Sequence, residues 1–223
     1  MPIQAVAFDM DGLLFDTERL ALDAWVWAGE QIGLPIQRGI VMLTLGLDRY
    51  DTRRVFEEHY GKQDNYDHIR DLRVQYTKRV IERDGMPIRP GLMPLLDVLD
   101  ARGIRYALAT STDRERAYYY LDRAGLSERF RYRICGDMVR AGKPEPDIYS
   151  MAAQIMEVEP QHCIALEDAP LGILAAHRAG CLPVMVPDLV QPDEATAALL
   201  YAKVDRLDQV IALLDDPKGS CDR

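Results

Sequence analysis

The sequence predicts an α/β fold: an open, mostly parallel sheet with helices on both faces, and an all-helical segment inserted after the first strand. Three observations predict it. Short, near-continuous apolar runs recur along the chain, as strands buried on both faces require. Helical patterns separate them, and a strand–helix alternation builds a parallel sheet. One interval, 18–85, has helical patterns and no buried-strand run.

The elements follow in order. The run IQAVAF (3–8) is the first strand and ends abruptly at Asp9. Next come the helical patterns LALDAWVWAGEQIG, YDTRRVFEEHY and YDHIRDLRVQYTKRVIERDG, with apolar residues at helical spacing. GMPIRPG (85–91) is punctuated by Pro and Gly and reads as the return linker. Strands are then expected at RYALAT (105–110), YRICG (132–136), CIALE (163–167) and LPVMVP (182–187). The helices between them are GLMPLLDVLDARG, DRERAYYYLDRAG, PDIYSMAAQIM and APLGILAAHRAG. Gly103, Gly125 and Gly180 sit where helices close. The resulting division is a Rossmann-like core over 1–17 and 86–223 and a helical segment over 18–85. The polar tail DDPKGSCDR is expected to fray.

Composition narrows the function classes. The 223 residues are 48% hydrophobic, enough for a sizeable core. A net charge of −9 argues against nucleic acid or an anionic membrane as partner. A local cation can still reverse the field inside a site and admit a small anion. Cys135, Cys163, Cys181 and Cys221 form no C-x-x-C pair, so neither a disulfide framework nor a zinc site is expected. The N-terminal segment lacks a signal-peptide pattern, and no apolar run reaches about 20 residues. The expectation is a cytoplasmic protein, monomer or homodimer.

In an open α/β sheet, ligands sit beyond the carboxyl ends of the strands. Asp9-Met10-Asp11-Gly12 follows the first strand and Thr110-Ser111-Thr112 the second. A later loop carries Gly142-Lys143-Pro144, and CIALE ends in Glu167-Asp168. Each type has a use in phosphoryl transfer. A carboxylate can carry the group as an acyl phosphate. Clustered carboxylates need a hard divalent cation, and Mg2+ suits their oxygens. A lysine and hydroxyls offset charge on the transferring oxygens. A second carboxylate can protonate the leaving alcohol and later deprotonate water. Any one piece has an ordinary alternative: a turn for Asp9-Met10-Asp11-Gly12, a strand-end cap for Thr110, a helix N-terminus for Glu167-Asp168. Their arrival after successive strands gives them weight together.

The chain resembles the haloacid dehalogenase-like (HAD) hydrolases over nearly its whole length. The motifs stand here as FDMDGLLFDTE, ALATST, GKPEPDIY and LEDAPLGI. The resemblance implies a phosphatase with Asp9 as nucleophile, Asp11 as general acid/base and Lys143 as the group that steadies nucleophile and phosphate. It implies Thr110 and Ser111 as phosphate-binding residues. It also implies a small phosphorylated metabolite as substrate, and Mg2+ held by Asp9, Asp168, the Asp11 backbone carbonyl and Glu167, the last either directly or through water. The helical insert corresponds to the family's cap, which chooses the substrate. Its candidate loop is LTLGLDRYD, with Arg49 either a substrate contact or a solvated helix-start charge. Trp25 and Trp27 read as cap packing, and His59 and His68 as exposed bystanders.

Within the family the chain is similar to sugar-phosphate phosphatases, pseudouridine-5′-phosphatase-like enzymes and β-phosphoglucomutase relatives. A mutase reuses the same aspartyl-phosphate and is the alternative function. The mutase pattern places a histidine four residues after an Asp-Thr pair, and here Asp16-Thr17 is followed at that position by Ala21. A dehalogenase has no need of Asp11 as a second acid. A phosphate-sensing protein without turnover has no need of the full set Asp9, Asp11, Lys143 and Asp168.

Overall fold

The computed structural model describes residues 2–45, 47, 49–62 and 65–215. Residues 216–223 of the polar tail, with Cys221, lie outside the described residues. The chain divides into two compact units, Met1–Phe15 with Ile88–Arg223, and Asp16–Pro87. Strands β1 (Ala5–Phe8), β2 (Arg105–Ala109), β3 (Tyr132–Ile134), β4 (Cys163–Glu167), β5 (Leu182–Met185) and β6 (Ala202–Lys203) all belong to the first unit. Helices α1 (Thr17–Gln31), α2 (Arg38–Met42), α3 (Arg49–Tyr60) and α4 (Tyr66–Asp84) make the second. Helices α5 (Leu92–Arg102), α6 (Arg114–Arg123), α7 (Asp147–Ile155), α8 (Pro170–Arg178), α9 (Glu194–Ala197) and α10 (Val210–Asp215) return to the first.

The six strands form one parallel sheet in the order β3-β2-β1-β4-β5-β6. The α/β class is therefore as expected. The strands are shorter than the apolar runs suggested, and α2 and β6 carried no readable periodicity. Register explains the packing. Ala7, Ala107 and Ala165 lie side by side across β1, β2 and β4. Successive strand residues face opposite sides, so the small side chains share one face. There α7 and α8 pack through Ile148, Tyr149, Ala152, Ala175 and Ala176. The next row, Phe8, Leu108 and Leu166, faces the other way. Phe8 meets Phe130 edge to face at 5.6 Å on that side, and Tyr106 stands 5.3 Å from Phe130. Gly103, Gly125 and Gly180 take left-handed φ of 64°, 68° and 78°, as helix-closing glycines do.

The helical unit has its own aromatic core. Trp25 lies 4.5 Å from Phe56 and 6.0 Å from Tyr66, with the Arg73 guanidinium over its ring. Trp27 packs on Tyr76 and carries Arg79. Both tryptophans are packing residues, and His59 and His68 are exposed. Among the described residues no helix is long and apolar enough to cross a membrane.

Candidate active site

From β1 the chain builds outward through β2 to β3, then returns to lay β4 on the other side of β1. That reversal opens a crevice at the carboxyl ends of β1 and β4. Asp9 follows β1 directly, and Glu167 and Asp168 close β4, so the acidic residues meet at the switch point. Parity then decides their direction. Asp9 continues the series Ala5, Ala7, and Glu167 the series Cys163, Ala165, which belong to the face covered by α7 and α8.

Lys143 comes from the loop before α7, and its ammonium bonds Asp9 Oδ1. It also lies 2.6 Å from Glu167 Oε1. All three side chains are almost sealed from water, with exposures of 6% for Lys143, 10% for Asp9 and 2% for Glu167. Burial pushes the Asp9 carboxyl up to about 7, opposed by Lys143 and assisted by Glu167 and Asp11. Burial disfavours the Lys143 ammonium, but Asp9 and Glu167 outweigh it and hold the group above its ordinary value.

Asp9, Glu167 and Asp168 each offer an oxygen, and these lie within 4.8 Å of one another. The set fits a divalent metal ion. Its donors are hard oxygens, and three buried carboxylates exceed the charge that one ammonium can offset. Burial is the main cause of the raised Asp9 carboxyl, and the neighbouring Glu167 charge adds to it. The Asp11 carboxylate is held from the β2 end. Its Oδ2 accepts a 2.6 Å hydrogen bond from the Thr112 hydroxyl. Gly12, at φ 82°, turns the chain immediately afterwards.

The β2 end supplies the hydroxyls. Thr110 is buried, and its Oγ1 accepts from the Thr112 backbone N–H at 3.1 Å. Its own hydroxyl proton can then point elsewhere. Ser111 is exposed. A Cβ added at Gly136, just past β3, would lie 2.2 Å from the Ser111 carbonyl oxygen. This loop thus depends on a glycine that sequence reading passed over.

The structure brings together Asp9, Lys143, Glu167 and Asp168, with Asp11, Thr110 and Ser111 on the adjoining strand ends. Arg49 belongs to the other unit. It begins α3 in the helical unit, and its side chain lies outside the described residues. Sequence reasoning placed Thr112 in the hydroxyl cluster without a role of its own, and it missed Tyr149 and Gly172. Thr112 bonds Asp11. The Tyr149 hydroxyl donates to Glu167 Oε1. A Cβ at Gly172 would fall 1.9 Å from the Glu167 carboxyl group. Tyr149 and Gly172 were concealed inside runs that read only as amphipathic helix.

Comparison with known proteins places the chain in a family. The sequence profile of the haloacid dehalogenase-like hydrolases matches residues 3–180. The chain is 31% identical to a phosphorylated carbohydrates phosphatase of Thermotoga maritima over 178 residues, covering 80% of this chain and 82% of that one. It is 28% identical to the β-phosphoglucomutase of Bacillus subtilis, covering 89% and 94%. The crystal structure of a CbbY variant from Rhodobacter sphaeroides with xylulose-(1,5)bisphosphate superposes with a TM-score of 0.81 at 26% identity, covering 96% of this chain and 100% of that one.

Proposed function

Because this chain belongs to the haloacid dehalogenase-like hydrolase family, we propose that it is a phosphoric monoester hydrolase in which Asp9 attacks phosphorus and carries the phosphoryl group. One observation supports this most directly. The Lys143 ammonium joins Asp9 to Glu167 at the sheet's switch point, beside Asp168. A carboxylate held so is oriented for in-line attack.

The proposed chemistry has two steps. An Asp9 oxygen bonds phosphorus while the ester oxygen departs and takes a proton from Asp11. Water then gives a proton to Asp11 as its oxygen attacks the acyl phosphate, releasing inorganic phosphate and restoring Asp9. Lys143 has three N–H donors. Two face Asp9 and Glu167, and the third is available to a phosphoryl oxygen. Thr110 and Ser111 supply further donors from the β2 end. Thr112, through its bond to Asp11 Oδ2, fixes the acid/base from the β2 end. A divalent cation held by Asp9, Glu167, Asp168 and the Asp11 carbonyl, taken to be Mg2+, would offset negative charge on the phosphoryl oxygens.

The proposed substrates are sugar or nucleoside phosphates. On the family resemblance the helical unit is the cap, and Arg49 is its candidate substrate contact. The similarity to a β-phosphoglucomutase favours one second reading, a phosphosugar mutase. Ala21 opposes it, having no polar atom where the mutase pattern has an imidazole.

The test is phosphate release from p-nitrophenyl phosphate with Mg2+, then from a panel of sugar phosphates and nucleotides. Asp9→Asn should fold normally and lose roughly a thousandfold or more in kcat. Residual turnover of a few per cent, in protein free of deamidation, would remove Asp9 from its role. With β-glucose 1-phosphate and a trace of the 1,6-bisphosphate, glucose 6-phosphate accumulating faster than inorganic phosphate would replace hydrolase by mutase.

A further inference from the structure

Glu167 is buried, and its Oε1 receives two groups. One is the Lys143 ammonium at 2.6 Å; the other is the Tyr149 hydroxyl. Tyr149 is fully buried on α7, in the core face that carries Ala165 and Cys163. A phenol there needs a hydrogen-bond partner, and an apolar ring would have served the packing equally well. The Lys143 ammonium also lies 5.2 Å from the centre of the Tyr149 ring. Tyr149 thus meets the lysine by its face and the lysine's partner by its hydroxyl. From the other side, α8 closes on Glu167 where Gly172 has no Cβ. The carboxylate is confined between α7 and α8.

We propose that Tyr149 is a positioning residue: through Glu167, its hydroxyl holds the Lys143 ammonium on Asp9. The physical reason is a competition. Lys143 is shared between two buried carboxylates, and each draws it according to the negative charge left unsatisfied there. The Tyr149 hydroxyl satisfies part of Glu167 and so leaves more of the ammonium to Asp9 and to the phosphoryl group. Without that donor, Glu167 draws Lys143 towards itself. Gly172 permits the arrangement, because a Cβ there would collide with the Glu167 carboxyl where it now stands.

This inference rests on the proposed role of Asp9, and its test separates the two. Tyr149→Phe keeps the ring and removes only the hydroxyl. It should lower kcat on p-nitrophenyl phosphate about tenfold, the scale of a hydrogen bond to a charged group, with KM changed less than about twofold. Orthovanadate binding, measured by calorimetry without turnover, should weaken about tenfold. In a Glu167→Gln background the same substitution should change either quantity less than about twofold, because the path through the carboxylate is already broken. Gly172→Ala gives an independent background that displaces Glu167 instead of neutralising it, and the same loss of effect is expected there. A purely structural tyrosine would lower the melting temperature and leave the kcat-to-KM ratio of effects undivided. An unchanged kcat and vanadate affinity in Tyr149→Phe, or full additivity with Glu167→Gln, would overturn the proposal. Activity retained in Asp9→Asn would instead overturn the nucleophile assignment, while the vanadate comparison would still judge Tyr149.

Discussion

Lys143→Met replaces the buried ammonium by an uncharged chain of similar length. Asp9 and Glu167 then face each other and Asp168 with no cation between them. Their oxygens lie within 4.8 Å. Two unit charges at that separation repel by about 3.5 kcal/mol at an effective dielectric near 20. Removing one partner of a buried ion pair costs about 3–5 kcal/mol by experience with other proteins. The two figures agree. The pH dependence follows from Asp9, whose carboxyl burial already pushes up to about 7. Such a group binds a proton in the folded state that the unfolded chain releases. Its stabilising effect is present at low pH and is lost as pH rises through the folded value. Lys143→Met moves that value higher still. Urea unfolding in excess EDTA should therefore show a larger loss at pH 8 than at pH 5, by up to about 1.4 kcal/mol, because the variant keeps Asp9 protonated through the pH unit above 7 in which the wild type releases its proton. An equal loss at both pH values would refute the electrostatic account and leave only lost packing.

Further outcomes are expected at the same site. Metal binding must displace the proton that Asp9 holds below about 7, so Mg2+ affinity measured by calorimetry should fall about tenfold per pH unit below that point, with proton release on binding. Affinity flat from pH 5.5 to 7.5 would remove Asp9 from the ligands. Thr112→Val preserves shape and the backbone bond to Thr110 but deletes the hydroxyl that holds Asp11. It should lower kcat about tenfold with little change in KM, and a pure KM effect would place Thr112 in substrate binding instead.

Much of the fold was legible in the chain because parallel strands, covered on both faces, must be apolar almost throughout. AVAF and CIALE cannot be solvent-facing strands, and the residues that break them off, Asp9 and Glu167-Asp168, stand out for that reason. The helical interval showed itself by 3.6-residue spacing sustained over long windows. The five residues of α2 and the two of β6 are too short to carry a period, so no window could find them.

Local sequence determined which residues end the strands, and hence which chemistry was present. It could not determine strand order, since pairing β1 with β4 across more than a hundred residues is a non-local choice made by packing. Only that pairing sets Asp9 beside Glu167 and Asp168. Only the row Ala7, Ala107, Ala165 lets α7 and α8 come close enough for Tyr149 to reach Glu167 and for Gly172 to clear it. A tyrosine or a glycine in an amphipathic helix looks the same whether it faces a core or a carboxylate. Its neighbour across the sheet makes the difference, and that neighbour is a property of the folded chain.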